Sequence, residues 1–361
     1  MSMKNLKKSN NLSVEQVREK IDEYKGTIHA IQAFISLVTW DNQNLQIRSN
    51  ANISLGRRMD TSPNNLISPN NIVTPDTVIQ LENGLGYTVE AKYSLPNNQD
   101  HWVDDINQFI KYDDDLRGWW TNNELIPLQC NILLIENARS VRFVEFLQAW
   151  LLEQNISFNS HAAIIEFQKS DNAKPFYFIR KMPWGSILPD ELSDVLKYGK
   201  KISIEKVVGT YGTKKFYDSA PPVVDYTMAI IWQDILNPDA VNGQYSKSLG
   251  GIPIYVRLDD LTIELQKLYG QDGNSSRDVQ FPQKDWIRLA MEEFVKIGVA
   301  RRLENDPNAY NYLVIFRQIK KDIFEFFVES RNKSNNKDTK GKQLDLFTSG
   351  EDSPKSDQSE N

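Results

Sequence analysis

The sequence is poor in the side chains that form disulfides and bind transition metals, with one cysteine and three histidines in 361 residues. A single cysteine, Cys130, excludes an intramolecular disulfide framework and a cysteine-rich zinc site. Because Cys130 lies in an apolar stretch, we expect a small buried side chain and not a nucleophile. The histidines are far apart in the sequence and lack the spacing of metal ligands.

Long apolar runs are also missing. No run approaches the ~18 residues of a membrane span, so we expect no association with a membrane. The first ten residues contain three lysines, but no apolar segment follows them, which argues against a signal peptide. A cytoplasmic protein is therefore expected.

The sequence also lacks an excess of basic residues. The chain has 42 Lys and Arg against 48 Asp and Glu, for a net charge of −6. The acidic excess lies in the folded part, because the first ten residues are basic and the polar tail is balanced. An acidic chain argues against binding nucleic acid by charge alone. The hydrophobic share of 40% is typical of a globular protein, and the length predicts roughly two domains and a tail.

Helices and strands alternate over residues 11–187. Ser13 can cap a helix predicted for residues 14–38, whose apolar residues recur every three or four positions. An irregular connection is predicted for residues 41–75. The elements that follow are hairpin strands at 76–82 and 87–93, helices at 102–117 and 141–154, and strands at 129–135, 162–168 and 176–180. This order predicts an α/β domain with a mixed sheet flanked by helices.

The sequence of the second half predicts a connector at 188–220 and a mainly helical domain at 221–330. Its predicted elements are helices at 226–235, 259–268, 284–297 and 319–330, and a hairpin at 299–303 and 310–315. The order helix, helix, hairpin resembles a winged helix, with Arg301 and Arg302 at the start of the wing. Winged helices often bind DNA. A role in contacting protein is an equal alternative, because Glu292 and Glu293 on the predicted recognition helix repel phosphate.

The two strands of the first hairpin carry the main chemical signal. Asp76 begins one strand, and Glu90 and Lys92 project from the same face of the other. If Asp76 lies opposite them, two carboxylates and an ammonium converge. Such oxygen ligands suit Mg²⁺, and the Ala91 carbonyl can add a further ligand. The metal would activate water, and Lys92 would assist the nucleophile or stabilise charge on the pentavalent oxygens.

The register of the hairpin decides whether these side chains share a face. A two-residue turn at 83–84 would pair Asp76 with Ala91, and Asp76 would then lie on the face opposite to the other two side chains. A three-residue loop or a single bulge would instead pair Asp76 with Lys92. We therefore predict an odd-length connection or a bulge.

A proline-preceded Asp76 followed by Glu90-x-Lys92 resembles the PD-(D/E)XK nuclease superfamily, also called restriction endonuclease-like. The resemblance covers about residues 14–180 and includes the helix before the hairpin and the helix and strand after it. It implies a restriction endonuclease-like fold. It also implies that Asp76 and Glu90 bind Mg²⁺, with Mn²⁺ as an alternative, and that Lys92 is catalytic.

The helix after the hairpin adds two residues to this resemblance. Gln108 and Tyr112 resemble the Q-xxx-Y element of some members, and their spacing of four places both on one helix face. Gln108 is therefore expected in the catalytic site, with ordinary helix surface and core positions as the alternative. A family glutamate on the first helix corresponds to Glu15, Glu19 or Glu23, and all three stay open.

An apolar pentapeptide interrupts the tail at residues 343–347, in a segment (331–361) whose composition predicts disorder. Apolar side chains in such a segment can insert into a partner's groove and become ordered on binding. The pentapeptide resembles the bacterial sliding-clamp-binding motif, and an incidental apolar patch is the alternative. The matching residues are Gln343, Leu344, Asp345, Leu346 and Phe347.

The two resemblances together imply a Mg²⁺-dependent DNA endonuclease that the sliding clamp recruits to DNA. Restriction or anti-phage defence is the expected setting, followed by repair or recombination, with companion defence or repair subunits as further partners. The alternative is a non-catalytic adaptor that binds DNA or the clamp and retains the nuclease fold. Because the folded body is acidic, we expect weak intrinsic affinity for DNA, for which tethering compensates.

Overall fold

The computed structural model describes residues 12–39, 51–61, 71–113, 116–122, 124–170, 176–203, 214–216, 221–241, 243–270, 276–304, 306 and 308–338. The chain divides into two compact units. The sheet unit comprises Asp22–Ala220 and Gln266–Phe281. The C-terminal unit comprises Met1–Ile21, Pro221–Leu265 and Pro282–Asn361.

Helix α1 (Val14–Thr39) begins at a capping box. The Ser13 N–H donates to the Gln16 side chain at 2.9 Å, and the Gln16 N–H donates to the Ser13 hydroxyl at 3.3 Å. The helix predicted for residues 14–38 is therefore confirmed, with its end one residue later. Although α1 has 26 residues, none of the helices in the described ranges is long and apolar enough to cross a membrane.

A seven-stranded mixed sheet flanked by helices forms the sheet unit. In spatial order its strands are β1 (Ala51–Leu55), β4 (Thr77–Leu81), β5 (Leu85–Lys92), β6 (Leu128–Glu136), β7 (His161–Ser170), β8 (Phe176–Gly185) and β9 (Lys200–Ser203). The central strands β5, β6 and β7 are parallel, and the other neighbours are antiparallel. The helices are α2 (Asp100–Ile110), α3 (Asn137–Gln154) and α4 (Asp190–Tyr198). Strand β6 is apolar along most of its length because both of its faces are buried.

Two segments of the sheet unit differ from the sequence-based expectation. Residues 41–75 were expected to be irregular, but they contain β1 and the short pair β2 (Met59–Asp60) and β3 (Ile72–Val73). Residues 188–220 were expected to be a connector, but they contain α4 and β9. Both β1 and β9 form edges of the sheet and take their hydrogen bonds from a neighbouring strand, a pairing that local composition does not reveal.

The last third of the chain combines helices with a three-stranded sheet. Its elements are α5 (Val224–Ile230), a π-helical segment (Ile231–Leu236), α6 (Asn237–Val241), β10 (Ile252–Val256), α7 (Leu258–Tyr269), α8 (Lys284–Lys296), β11 (Ala300–Arg302), β12 (Tyr312–Phe316) and α9 (Ile323–Asp338). The hairpin of β11 and β12 is confirmed. Strand β10, which the sequence did not predict, pairs with the other side of β12.

Helix α9 contradicts the expectation of disorder from residue 331. The helix continues to Asp338. The physical reason is that Arg331 is buried and donates to the buried carboxylates of Asp225 and Glu293, which anchors this turn of the helix.

Cys130 lies in β6 and is fully buried. Burial raises the pKa of its thiol to about 11, so the side chain stays protonated near neutral pH. The expectation of a small buried side chain is confirmed.

Candidate active site

The hairpin that carries the predicted site has a three-residue connection. Strand β4 ends at Leu81 and β5 begins at Leu85, and the last ladder pair before the site joins Thr77 to Val89. The odd-length connection is therefore confirmed. One further step in this register places Asp76 opposite Glu90, so the expected pairing with Lys92 is wrong by two residues. The two carboxylates nevertheless belong to the same face.

Asp76 is held by backbone groups from both neighbouring strands. Its side chain is buried, and Oδ2 accepts a hydrogen bond of 2.9 Å from the Ala91 N–H of β5. Its own carbonyl accepts a hydrogen bond of 3.0 Å from the N–H of Gly56, which follows β1. The carboxylate is thus fixed at the point where the hairpin meets the edge strand.

Glu90 is buried and uses both of its carboxylate oxygens. Oε1 accepts from Gln108 Nε2 at 2.8 Å and lies 2.9 Å from Lys92 Nζ. Oε2 accepts from the Tyr112 hydroxyl at 2.7 Å. Gln108 Nε2 also lies 3.0 Å from the Tyr112 hydroxyl oxygen, which joins the two side chains. The structure therefore brings Gln108 and Tyr112 to Glu90, and Tyr112 is also part of the hydrophobic core.

Helix α2 also delivers a third side chain, which the sequence did not single out. Asp105 Oδ1 lies 3.2 Å from Lys92 Nζ. Asp105 and Gln108 are three residues apart on one face of α2, whereas Tyr112 follows the end of the helix at Ile110. The helix expected at 102–117 is therefore shorter, and the expectation that Tyr112 lies on its face is wrong. The spacing of Asp105 and Gln108 is the signal in the sequence that points to Asp105.

A polar network behind the site fixes the end of α2 against the sheet. The carbonyl of Tyr112 accepts a hydrogen bond of 2.6 Å from Gln129 Nε2. The same amide donates to Asn131 Oδ1 at 2.8 Å, and that oxygen also accepts from the Thr88 hydroxyl. Thr88 and Asn131 are fully buried on adjacent strands, so the network ties Tyr112 to the sheet.

The charges around Lys92 decide its protonation. Burial alone would lower the pKa of Lys92, but the negative charges of Glu90, Asp105 and Asp76 together raise it well above its ordinary value. Burial raises the pKa of Tyr112, and the charges of Glu90 and Asp76 raise it further. Lys92 is therefore an ammonium and Tyr112 a neutral hydroxyl donor at neutral pH.

The oxygen atoms of the site fit a magnesium ion that retains water ligands. Mg²⁺ is commonly bound through one or two carboxylates, with water and substrate phosphate as its other ligands. Asp76 and Glu90 supply two carboxylates, and Glu90 Oε2 accepts a single hydrogen bond, which leaves room for a second partner. Within the described ranges, no three His, Cys, Asp or Glu side chains are grouped closely enough to hold a metal. Asp105 therefore does not join Asp76 and Glu90 as a third metal ligand. The Ala91 carbonyl stays a prediction.

The remaining predicted positions are distributed over both units. On α1, Glu15 and Glu19 are exposed, whereas Glu23 is half-buried and belongs to the sheet unit. Glu23 is therefore the candidate that shares a unit with Asp76. The clamp-binding motif at 343–347 lies outside the described residues.

The side chains of both glutamates of helix α8 have hydrogen-bond or ion-pair partners. Glu293 is buried and interacts with Arg331 and Lys296. Glu292 accepts hydrogen bonds from Arg302 and from the Tyr312 hydroxyl. The negative charge that argued against contact with phosphate is thus compensated within the C-terminal unit.

Comparisons with family models, curated proteins and solved structures found no match to this chain. The resemblances drawn from the motifs therefore stay predictions, and the function is argued from the site.

Proposed function

We propose that the sheet unit is a Mg²⁺-dependent DNA endonuclease of the PD-(D/E)XK type. The observation that supports this proposal most strongly is the position of Lys92, whose ammonium lies 2.9 Å from the buried Glu90 carboxylate on the face that Asp76 shares. Gln108 and Tyr112 donate to the same carboxylate, which fixes its orientation. A surface Glu-Lys pair beside a turn would have neither the burial nor these donors.

Hydrolysis of a phosphodiester forms a bond between a water oxygen and phosphorus and breaks the bond to one ester oxygen. Asp76 and Glu90 would hold Mg²⁺, which on binding supplies an acidified water and neutralises phosphate charge. Lys92 places a positive charge beside the non-bridging oxygens, where negative charge develops in the transition state. Because the neighbouring carboxylates raise the pKa of Lys92, this charge is maintained at neutral pH.

A cleavage assay on supercoiled plasmid and on single-stranded, duplex and branched DNA, with Mg²⁺ and with EDTA, tests the proposal. We expect Asp76→Ala, Glu90→Ala and Lys92→Ala each to reduce the cleavage rate by roughly 10²–10³-fold, with folding intact. Asp104→Asn and Lys111→Ala are matched controls, because both side chains are exposed beside the same helix. Full activity in all three site variants would refute the catalytic assignment.

We propose that the C-terminal unit is a winged helix that contacts DNA. The order helix, strand, helix, helix, strand, strand from α6 to β12 supports the fold assignment. The ion pairs of Glu292 and Glu293 weaken the argument that these glutamates repel phosphate, and Arg301 is exposed at the start of the wing. We expect Arg301→Glu to weaken duplex binding several-fold at low salt, since each phosphate contact contributes through counterion release. Unchanged affinity would favour the protein-contact role.

We further propose that residues 343–347 bind the bacterial sliding clamp and bring the nuclease to DNA, in restriction or anti-phage defence or in repair. Deleting residues 343–347 should abolish binding to immobilised clamp, whereas deleting residues 353–357 from the same tail should not. Equal binding of both deletions would contradict this proposal. A chain that binds the clamp but cleaves no DNA under any metal condition would be the non-catalytic adaptor.

A further inference from the structure

Lys92 has two carboxylate partners, and only one of them belongs to the proposed metal site. Its Nζ lies 2.9 Å from Glu90 Oε1 and 3.2 Å from Asp105 Oδ1. Glu90 lies on the same strand as Lys92, whereas Asp105 projects from α2. The Asp105 side chain is only 18% exposed, so the pair is largely enclosed. Lys92 is therefore held between the hairpin and the helix.

Three carboxylates, those of Asp76, Glu90 and Asp105, act on the Lys92 ammonium. A divalent cation at Asp76 and Glu90 would take the place beside Glu90 that the ammonium holds. Without Asp105, the same cation and the ammonium would share two carboxylates and repel each other at close range.

We propose that Asp105 is a positioning residue that keeps Lys92 beside the site when a divalent cation occupies Asp76 and Glu90. This inference rests on the proposed function. The cation competes with Lys92 for the oxygens of Glu90, and Asp105 gives the ammonium a carboxylate that the cation does not use. Lys92 thereby stays next to the substrate phosphate, and Asp105 acts through Lys92 without binding the metal itself.

The test uses the full-length protein and Mn²⁺. Electron paramagnetic resonance measures the binding of this ion directly. We expect Asp105→Asn to weaken Mn²⁺ binding by roughly 10-fold or more, as substitutions behind metal ligands do. Asp104→Asn removes the same charge from the exposed neighbouring position of α2 and should bind Mn²⁺ as the wild type does. Asp105→Glu keeps the charge and should restore most of the affinity, which a purely structural role would not require.

A double-mutant cycle separates positioning from direct ligation. In a Lys92→Met background there is no ammonium to hold, so Asp105→Asn should lose most of its effect on Mn²⁺ binding. An undiminished effect in that background would show that Asp105 is itself a ligand and would overturn the positioning role. Wild-type Mn²⁺ affinity in Asp105→Asn would overturn it as well.

The Asp76→Ala variant distinguishes failure of this inference from failure of the proposed function. If Asp76→Ala abolishes Mn²⁺ binding while Asp105→Asn leaves it unchanged, the metal site stands and only the role of Asp105 is wrong. If Asp76→Ala binds Mn²⁺ as tightly as the wild type, the proposed metal site and the role of Asp105 both fail.

Discussion

The two compact units each contain a buried cluster of charged side chains, and the two clusters differ in charge balance. The hairpin cluster in the sheet unit combines three carboxylates with one ammonium. The Arg331 cluster in the C-terminal unit combines two carboxylates with a guanidinium and an ammonium. The members are Asp76, Glu90, Lys92 and Asp105 in the first, and Asp225, Glu293, Lys296 and Arg331 in the second.

In the Arg331 cluster every carboxylate has a cationic partner. Arg331 Nη2 lies 2.9 Å from Asp225 Oδ1, its Nε donates to Glu293, and Lys296 Nζ lies 2.8 Å from Glu293 Oε2. These contacts join α9 to α5 and α8, which is a structural role. In the hairpin cluster one ammonium, that of Lys92, contacts both Glu90 and Asp105, and the Lys92 side chain is 23% exposed. The ratio of cationic to carboxylate side chains in these contacts therefore distinguishes the two clusters.

The largest expected effect on stability belongs to Arg331→Met. Removing the guanidinium leaves two buried carboxylates without their shared partner, which should lower the free energy of unfolding by about 3–5 kcal/mol. Urea denaturation at pH 7 measures this change. Arg301→Met removes the same charge from an exposed strand position and should change stability by about 0.5 kcal/mol or less. Similar losses in the two variants would show that the Arg331 cluster does not hold the unit together.

Neutralising Asp225 and neutralising Glu293 should lower the free energy of unfolding by different amounts. Burial raises the pKa of Asp225 despite the charge of Arg331, so the folded state disfavours its ionised form. Burial alone would also raise the pKa of Glu293, but the hydrogen bond from Lys296 and the charge of Arg331 lower it instead. Ionised Glu293 therefore contributes stability that is present above its ordinary pKa and is lost as the pH falls through its lowered value.

We therefore expect Glu293→Gln to lower the free energy of unfolding at pH 7 by about 1.5–3 kcal/mol and Asp225→Asn by about 1 kcal/mol or less. Urea denaturation repeated from pH 7 down to pH 3 checks the sign. The difference between wild type and Glu293→Gln should shrink as the pH falls, because the wild-type carboxylate becomes protonated. A larger loss in Asp225→Asn than in Glu293→Gln would reverse the assigned roles of the two carboxylates.

The parts of the fold that the sequence predicted depend on patterns within a single element. The period of α1, the turn signal at residues 83–84 of the hairpin and the apolar run of β6 are local, and the structure confirms these elements. The odd-length connection was also predictable, since side chains on a strand alternate and Asp76 has to share a face with Glu90. Strands β1 and β9 were missed because segments this short become strands only when another strand pairs with them.

The site shows the same division between local and distant contacts. Gln108 and Tyr112 were found because their spacing in the sequence resembles a known element. Asp105 was missed although it lies three residues before Gln108, because its importance comes from a contact with a strand that precedes it in the chain. The Arg331 cluster was not predicted, since Arg331 and Asp225 are 106 residues apart and no periodic pattern links them.

The small change in stability that we expect for Lys92→Met gives the sharpest test of the comparison. Glu90 would keep its hydrogen bonds from Gln108 and Tyr112, and the methionine would keep the apolar stem of the lysine. Because the Lys92 side chain is partly open to solvent, we expect the free energy of unfolding to change by about 1 kcal/mol or less. Urea denaturation and the cleavage assay, run on one preparation, should show near-native stability with cleavage lost. A loss of stability as large as that of Arg331→Met would make the hairpin cluster a structural one, because Lys92 would then serve the fold as Arg331 does.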